Sequence, residues 1–391
     1  MSELSVPAAA GRAAESAAPV GSMRDAYAGK LLPKMLVETF RRNEEAFSTR
    51  RIARGGPVRP LPYAARQVTD LPISANGQVY DLADYLGRNR IGGLLILKRR
   101  EVVFEYYDLG LAPTTPWVSM SMAKSMATTL VGAAIKDGCI GGVDDDLSTY
   151  LTELRGSAYE GVSIRHLMQM TSGVKWDDTH TDPTSERRHM LELQTAQRPG
   201  AILDYMKGLP RVAEPGALWN YSTGETHVVG ALVKAATGKW LADYLSEKVW
   251  SHAGMEADAS WWLESPGGLE VAGSGVSAVL RDYVRFALFA MEGAVVDGES
   301  ILPPGWMAEA TLPREAGGEP LNYGYMWWPV PSADGSFADG AFSARGIFGQ
   351  YLYINPAKDL IIGVLSSRPK PKASEAILDN DFFNAAAEAL A

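Results

Sequence analysis

The 391-residue chain holds a single cysteine, Cys139, and only five histidines: His166, His180, His189, His227 and His252. One cysteine excludes an intramolecular disulfide framework and a zinc site built on thiolates. No H-E-x-x-H pair occurs, so no metal ligand set is expected, and no cofactor is implied. Positive charge is also short: Lys+Arg total 37 against 46 for Asp+Glu, a net charge of −9. That balance argues against nucleic acid or an anionic membrane surface as partner. No apolar run approaches ~18 residues, so no membrane span is expected. Residues 1–22 are rich in Ala and Ser but lack a basic region followed by an apolar stretch. They read as a flexible arm and not as a signal peptide, which makes the cytoplasm the expected compartment.

What is present is a globular composition, 46% hydrophobic and 21% charged. Two β-rich runs, Leu94–Leu97 and Val102–Phe104, flank Lys98-Arg99-Arg100-Glu101 and read as a hairpin. A second hairpin is expected from Gln350–Ile354 and Leu360–Leu365 around Asn355-Pro356. Between these ends, apolar positions recur at helical spacing, as in 130–135, 227–236 and 282–291. Strand pairs at both ends of a mainly helical centre, without βαβ alternation, predict an α+β class. The expected division is a sheet domain from 23–125 and 290–391 and a helical domain from 126–289.

The common catalytic signatures are missing. There is no G-x-x-x-x-G-K-[ST] loop and no G-x-S-x-G elbow, and the G-x-G-x-x-A string at Gly273–Ala278 lacks βαβ flanks. Three S-x-x-K strings remain: Ser121–Lys124, Ser172–Lys175 and Ser367–Lys370. A serine on the first turn of a helix faces the residue at i+3. A lysine there can take the serine proton if burial or a neighbouring cation lowers its pKa. Pro369 prevents a helix through the third string, and Gly173 breaks the second at a helix stop. Only Ser121 precedes a strong apolar helix, with Ser119 offering an N-cap. The same letters also suit an ordinary first turn of a core helix. Tyr221 lies on a Pro-Gly loop before a helix, where a nearby ammonium could lower its pKa and make it a general base, or where it could simply anchor the loop. Ser343-Ala344-Arg345-Gly346 enters the last hairpin, and small residues there allow close approach of a ligand.

These three elements, with Met168–Gly173, Pro215–Ser222, Leu280–Asp282 and Phe348-Gly349-Gln350 beside them, resemble the serine β-lactamase-like hydrolases. That group comprises class C β-lactamases, D-Ala-D-Ala carboxypeptidases, family VIII carboxylesterases and 6-aminohexanoate-dimer hydrolases. The loop His180–Glu186 is most similar to the last of these, with His180 standing where that branch has tyrosine. The resemblance implies a β-lactamase/transpeptidase-like fold and a serine hydrolase acting through an acyl-enzyme. Ser121 is then the nucleophile, and Lys124 and Tyr221 share the proton transfers. The backbone N–H groups of Ser121 and approximately Arg345 hold the oxyanion. His180, Trp117, Trp219 and Gly346 are the expected substrate contacts. Where relatives carry Y-x-N this chain has Tyr221-Ser222-Thr223, and where they carry K-T-G it has Ser343-Ala344-Arg345-Gly346. The acidic residue that receives the ammonium group in the nylon hydrolases aligns near Leu191. Arg187-Arg188 in the same stretch could attract a carboxylate, but read first as a solvated charge pair. The expected partner is a small ester or linear amide, with a homodimer also considered. The competing activities are acyl transfer, β-lactam or D-Ala-D-Ala hydrolysis, and a binding protein without catalysis.

Overall fold

The computed structural model describes residues 18–391; residues 1–17 of the expected arm lie outside the described part. Both expected hairpins form, Ile91–Lys98 with Glu101–Tyr107 and Gln350–Asn355 with Leu360–Ser366. They join edge to edge: Leu360–Ser366 pairs antiparallel with Ile91–Lys98. The strands Phe342–Gly346 and Trp328–Pro329 extend the sheet to six strands, so the two chain ends share one sheet.

The run Leu94–Leu97 is apolar without interruption because both faces of its strand are covered. Leu95 and Leu97 point into the core shared with the helical part. Leu94 and Ile96 pack with Tyr85, Phe382 and Phe383 under the C-terminal helix Asp379–Ala389. The helix Leu280–Met291 covers the first face, and its apolar stripe matches the expected one.

The central stretch is not purely helical. A four-stranded sheet runs in the order Thr49–Ile52, Ala259–Trp262, Val276–Ala278, Trp117–Val118. This sheet delivers the Ser119–Ser121 turn: Ser119 N donates to Val276 O at 2.7 Å, three residues before the helix Met122–Lys136 begins. Thirteen residues of that helix are buried, Met122 through Ala134, so it is an axle of the core. The helix Thr223–Thr237 packs against it. Among the described residues, no helix is long and apolar enough to cross a membrane.

Candidate active site

Ser121 occupies the N-cap position of the Met122–Lys136 helix, directly after Met120 at φ +45°. A left-handed backbone at a non-glycine residue carries strain that only a well-packed surrounding sustains. Ser119 does not cap the helix as expected. Its carbonyl accepts from Met122 N at 3.2 Å, but its hydroxyl caps no N–H group and donates to Met120 O at 3.0 Å.

Lys124 sits one turn on, with 1% exposure. Its Nζ lies 3.1 Å from Ser121 Oγ, 3.1 Å from Thr223 Oγ1 and 2.8 Å from Gly273 O. Burial lowers its pKa to about 7; Arg187 and Lys372 push the same way and Asp178 opposes. A neutral amine here gives its two N–H groups to Thr223 Oγ1 and Gly273 O. Its lone pair then faces the Ser121 hydroxyl.

Tyr221 precedes the cap of the Thr223–Thr237 helix, where Ser222 Oγ accepts from Glu225 N at 3.1 Å. Its ring stacks on Trp328, centroids 5.9 Å apart, and meets Tyr323 edge-on at 6.0 Å. Burial raises its pKa and Asp178 adds to the rise, against smaller contributions from the Ser121 hydroxyl and Arg187. The expected lowering by an ammonium group is therefore reversed, and the phenol keeps its proton.

The strand Phe342–Gly346 approaches the Ser121 turn closely. A Cβ on Gly346 would stand 2.6 Å from Ser119 O, so the approach requires glycine. Val330 N donates to Ala341 O, which places the Ala341 backbone on the side away from Gln350–Asn355. Backbone direction alternates along a strand, so the Arg345 N–H shares that orientation and points away from Gln350–Asn355. The Arg345 side chain goes elsewhere, donating to Ser343 Oγ at 2.8 Å and lying over the Trp328 ring.

Ser121, Tyr221, His180, Asp178, Arg345 and Gly346 all line one cavity of about 310 Å³, with Trp328 and Lys372 at its margins. His180 is buried and burial lowers its pKa to about 3, so it presents a neutral imidazole. Asp178 was not anticipated. Its Oδ1 accepts from Trp176 Nε1 at 2.8 Å and from Thr223 N at 3.0 Å, while Oδ2 is buried without a partner. Burial opposes its ionisation, but His180, Lys124 and Arg187 together hold its pKa below the ordinary value. Nothing in the local sequence marks it; Asp177-Asp178 reads as any polar loop.

The match to a family model spans residues 82–384 and carries the description Beta-lactamase. The chain belongs to the Beta-lactamase family. It is 29% identical over 347 residues to the 6-aminohexanoate-dimer hydrolase of Paenarthrobacter ureafaciens, 85% of each chain. A candidate 6-aminohexanoate-dimer hydrolase from Bacillus anthracis superposes with a TM-score of 0.80 at 22% identity, covering 91% of this chain and 94% of its own. A penicillin-binding protein homologue from Caulobacter crescentus gives 0.61 at 14% identity, over 79% and 95%. The fold is thus the β-lactamase/transpeptidase-like one, and the family is one of serine hydrolases.

Within that family frame, four side chains depart from expectation. Trp117 is fully buried and its Nε1 donates to Gln350 Oε1 at 3.0 Å; it packs the sheet and does not line the cavity. Trp219 stands behind Tyr221, tilted on Tyr323 at 5.5 Å, outside the lining. Arg187 and Arg188 are not solvated: their helix Glu186–Ala196 turns both inward, to 2% and 8% exposure. Arg187 Nη2 donates to the Tyr27 hydroxyl at 2.6 Å, and Arg188 Nη1 to His180 O at 3.1 Å. Leu191, where the nylon-hydrolase pattern has an acidic residue, is buried at 1% exposure.

Proposed function

We propose that this protein hydrolyses a carboxylic ester or short linear amide through an acyl-enzyme formed on Ser121. The observation that carries the reading is the buried Lys124 amine bonded to Ser121 Oγ, with its other two directions taken by Thr223 and Gly273. Neutral Lys124 accepts the Ser121 proton as Oγ attacks the carbonyl carbon. The oxyanion is held by the N–H groups of Ser121 and Arg345, each donor worth ~3 kcal/mol. The protonated phenol of Tyr221 donates to the leaving alcohol or amine, and the Lys124 ammonium returns a proton to the phenolate. A water then attacks the acyl-enzyme with the same groups acting in reverse order.

Ester and linear amide substrates are favoured over β-lactams by two features. Thr223 stands where relatives carry an asparagine amide, and its hydroxyl is engaged with Lys124. The strand Phe342–Gly346 carries no lysine. The relative from Paenarthrobacter supports the linear amide, while Leu191 supports a substrate without a free ammonium group at that point. The test is stopped-flow hydrolysis of a short p-nitrophenyl ester beside 6-aminohexanoate dimer and a chromogenic cephalosporin. A p-nitrophenol burst and an acyl adduct on Ser121 by mass spectrometry are expected. Equal inertness of wild type and Ser121→Ala on all three overturns the reading. Ester or amide product in place of free acid, on adding an alcohol or amine, would make the enzyme a transferase.

A further inference from the structure

The family match begins at residue 82, yet the segment around Tyr27 reaches the candidate site. Tyr27 ends the short helix Met23–Tyr27 and is 1% exposed. Its ring meets His180 edge-on, with centroids 5.0 Å apart and planes at 89°. The Arg187 guanidinium lies 4.6 Å from the same ring and donates to its hydroxyl at 2.6 Å. Arg188, the next residue, donates to the His180 carbonyl at 3.1 Å. His180 is therefore held by its ring through Tyr27 and by its backbone through Arg188.

Two residues after Tyr27, Gly29 O accepts from Lys370 Nζ at 2.6 Å. Lys370 directly precedes Pro371–Glu375, the loop that brings Lys372 to the cavity. Phe348 N donates to Pro371 O at 3.0 Å, which ties that loop to the strand end beyond Gly346. The same short segment thus touches two of the elements that line the cavity, one carrying His180 and one carrying Lys372. Tyr27 also offers a hydroxyl and a ring face to a buried guanidinium. Removing it leaves that cation short of partners and the start of the Glu186–Ala196 helix free to shift.

We propose that the Tyr27–Gly29 segment is a positioning element that sets the spacing of the His180 wall and the Pro371–Glu375 loop, and so the fit of the substrate. The proposal rests on the hydrolase reading above. Tyr27 and Lys370 act through other residues and touch no reacting atom.

The test is steady-state kinetics of Tyr27→Leu, Tyr27→Phe and Lys370→Met on a short p-nitrophenyl ester, with thermal unfolding as control. A displaced wall loosens ground-state fit and leaves Ser121, Lys124 and Tyr221 in place. Tyr27→Leu should then raise KM about tenfold with kcat within about twofold. Tyr27→Phe keeps the ring and should restore most of the fit. Lys370→Met should raise KM about threefold, and the double variant should show less than the product of the two, since both act through one segment. Unchanged KM in folded Tyr27→Leu and Lys370→Met overturns the proposal, as does a fall in kcat at constant KM. If Tyr27→Leu does not fold, Lys370→Met decides by the same KM criterion. An active wild type with unchanged variants defeats only this inference; a wild type no more active than Ser121→Ala defeats the hydrolase reading itself.

Discussion

Ser121–Lys124 and Ser172–Lys175 are the same four-residue pattern in two settings. In the first, both residues lie on one turn of a buried helix and the amine touches the hydroxyl. In the second, Gly173 at φ +78° takes the chain out of helical geometry, and a Cβ there would strike Ala213 O. The two side chains part company. Ser172 Oγ bonds Glu225, while Lys175 reaches out to Glu186 at 2.7 Å with its side chain 56% exposed. Burial lowers the pKa of Lys124 to about 7, whereas the hydrogen bond to Glu186 raises that of Lys175. The lesson is that spacing supplies only the contact. Desolvation and the absence of a carboxylate partner turn a lysine into a base.

The largest effect should separate the two serines. Ser121→Ala should lower kcat/KM by ~1000-fold or more and abolish the burst. Ser172→Ala should leave the burst intact and cost ~1–2 kcal/mol of stability, because a buried carboxyl loses its partner. A burst that survives in Ser121→Ala would break the comparison.

The lysines come next. Lys124→Met should reduce kcat by ~100-fold or more, within the usual range for a general base, while Lys175→Met should stay within about twofold. If neutral Lys124 is the base, as proposed, kcat/KM should rise with pH through about 7 and level off above it. A flat profile from pH 6 to 8 in wild type would remove the base from Lys124.

Smaller still is the close strand approach. Gly346→Ala places a Cβ 2.6 Å from Ser119 O. It should displace the Arg345 N–H and lower kcat about tenfold, with KM changed less. Equal activity of this variant and wild type would mean that the Arg345 N–H is not a donor to the oxyanion.

The smallest effect belongs to Glu225 beside Ser172, whose pKa burial raises to about 8. The folded state then binds more protons than the unfolded state above the ordinary carboxyl pKa. Its stabilising contribution is full below that value and declines until pH passes about 8. Glu225→Gln should flatten that decline and raise Tm by a few degrees at pH 8.5 relative to wild type. An unchanged pH dependence of Tm would show that Glu225 is ionised in the native state.

Local pattern carried the reading furthest where elements are long or chemically unusual. The two hairpins, the helix after Ser121 and the loop before the Thr223–Thr237 helix were legible because period, turn residues and caps agree there. The pairing of Leu360–Ser366 with Ile91–Lys98 was legible only as an expectation of class, since no local signal encodes a contact between chain ends. The tryptophans show the opposite case. Trp117 and Trp219 stand beside catalytic strings, but a large ring is as useful to a core as to a pocket, and only packing decides between them. Arg187 and Arg188 misled for a related reason: adjacent charges normally mark a solvated face, and a buried guanidinium is recognised only through the partners that surround it.

The sequence by itself determined the chemistry available to this protein. With one cysteine and few histidines, it carries a serine and a lysine one helical turn apart, and a tyrosine at a helix entry. Tertiary structure decided which of those groups can act. It buried Lys124 away from any bonded carboxylate, kept the Tyr221 phenol protonated and brought Asp178 and His180 into the same cavity. The physical reason is that residue identity sets which protons and donors exist. Their pKa values and directions depend on desolvation and on neighbours distant in the chain.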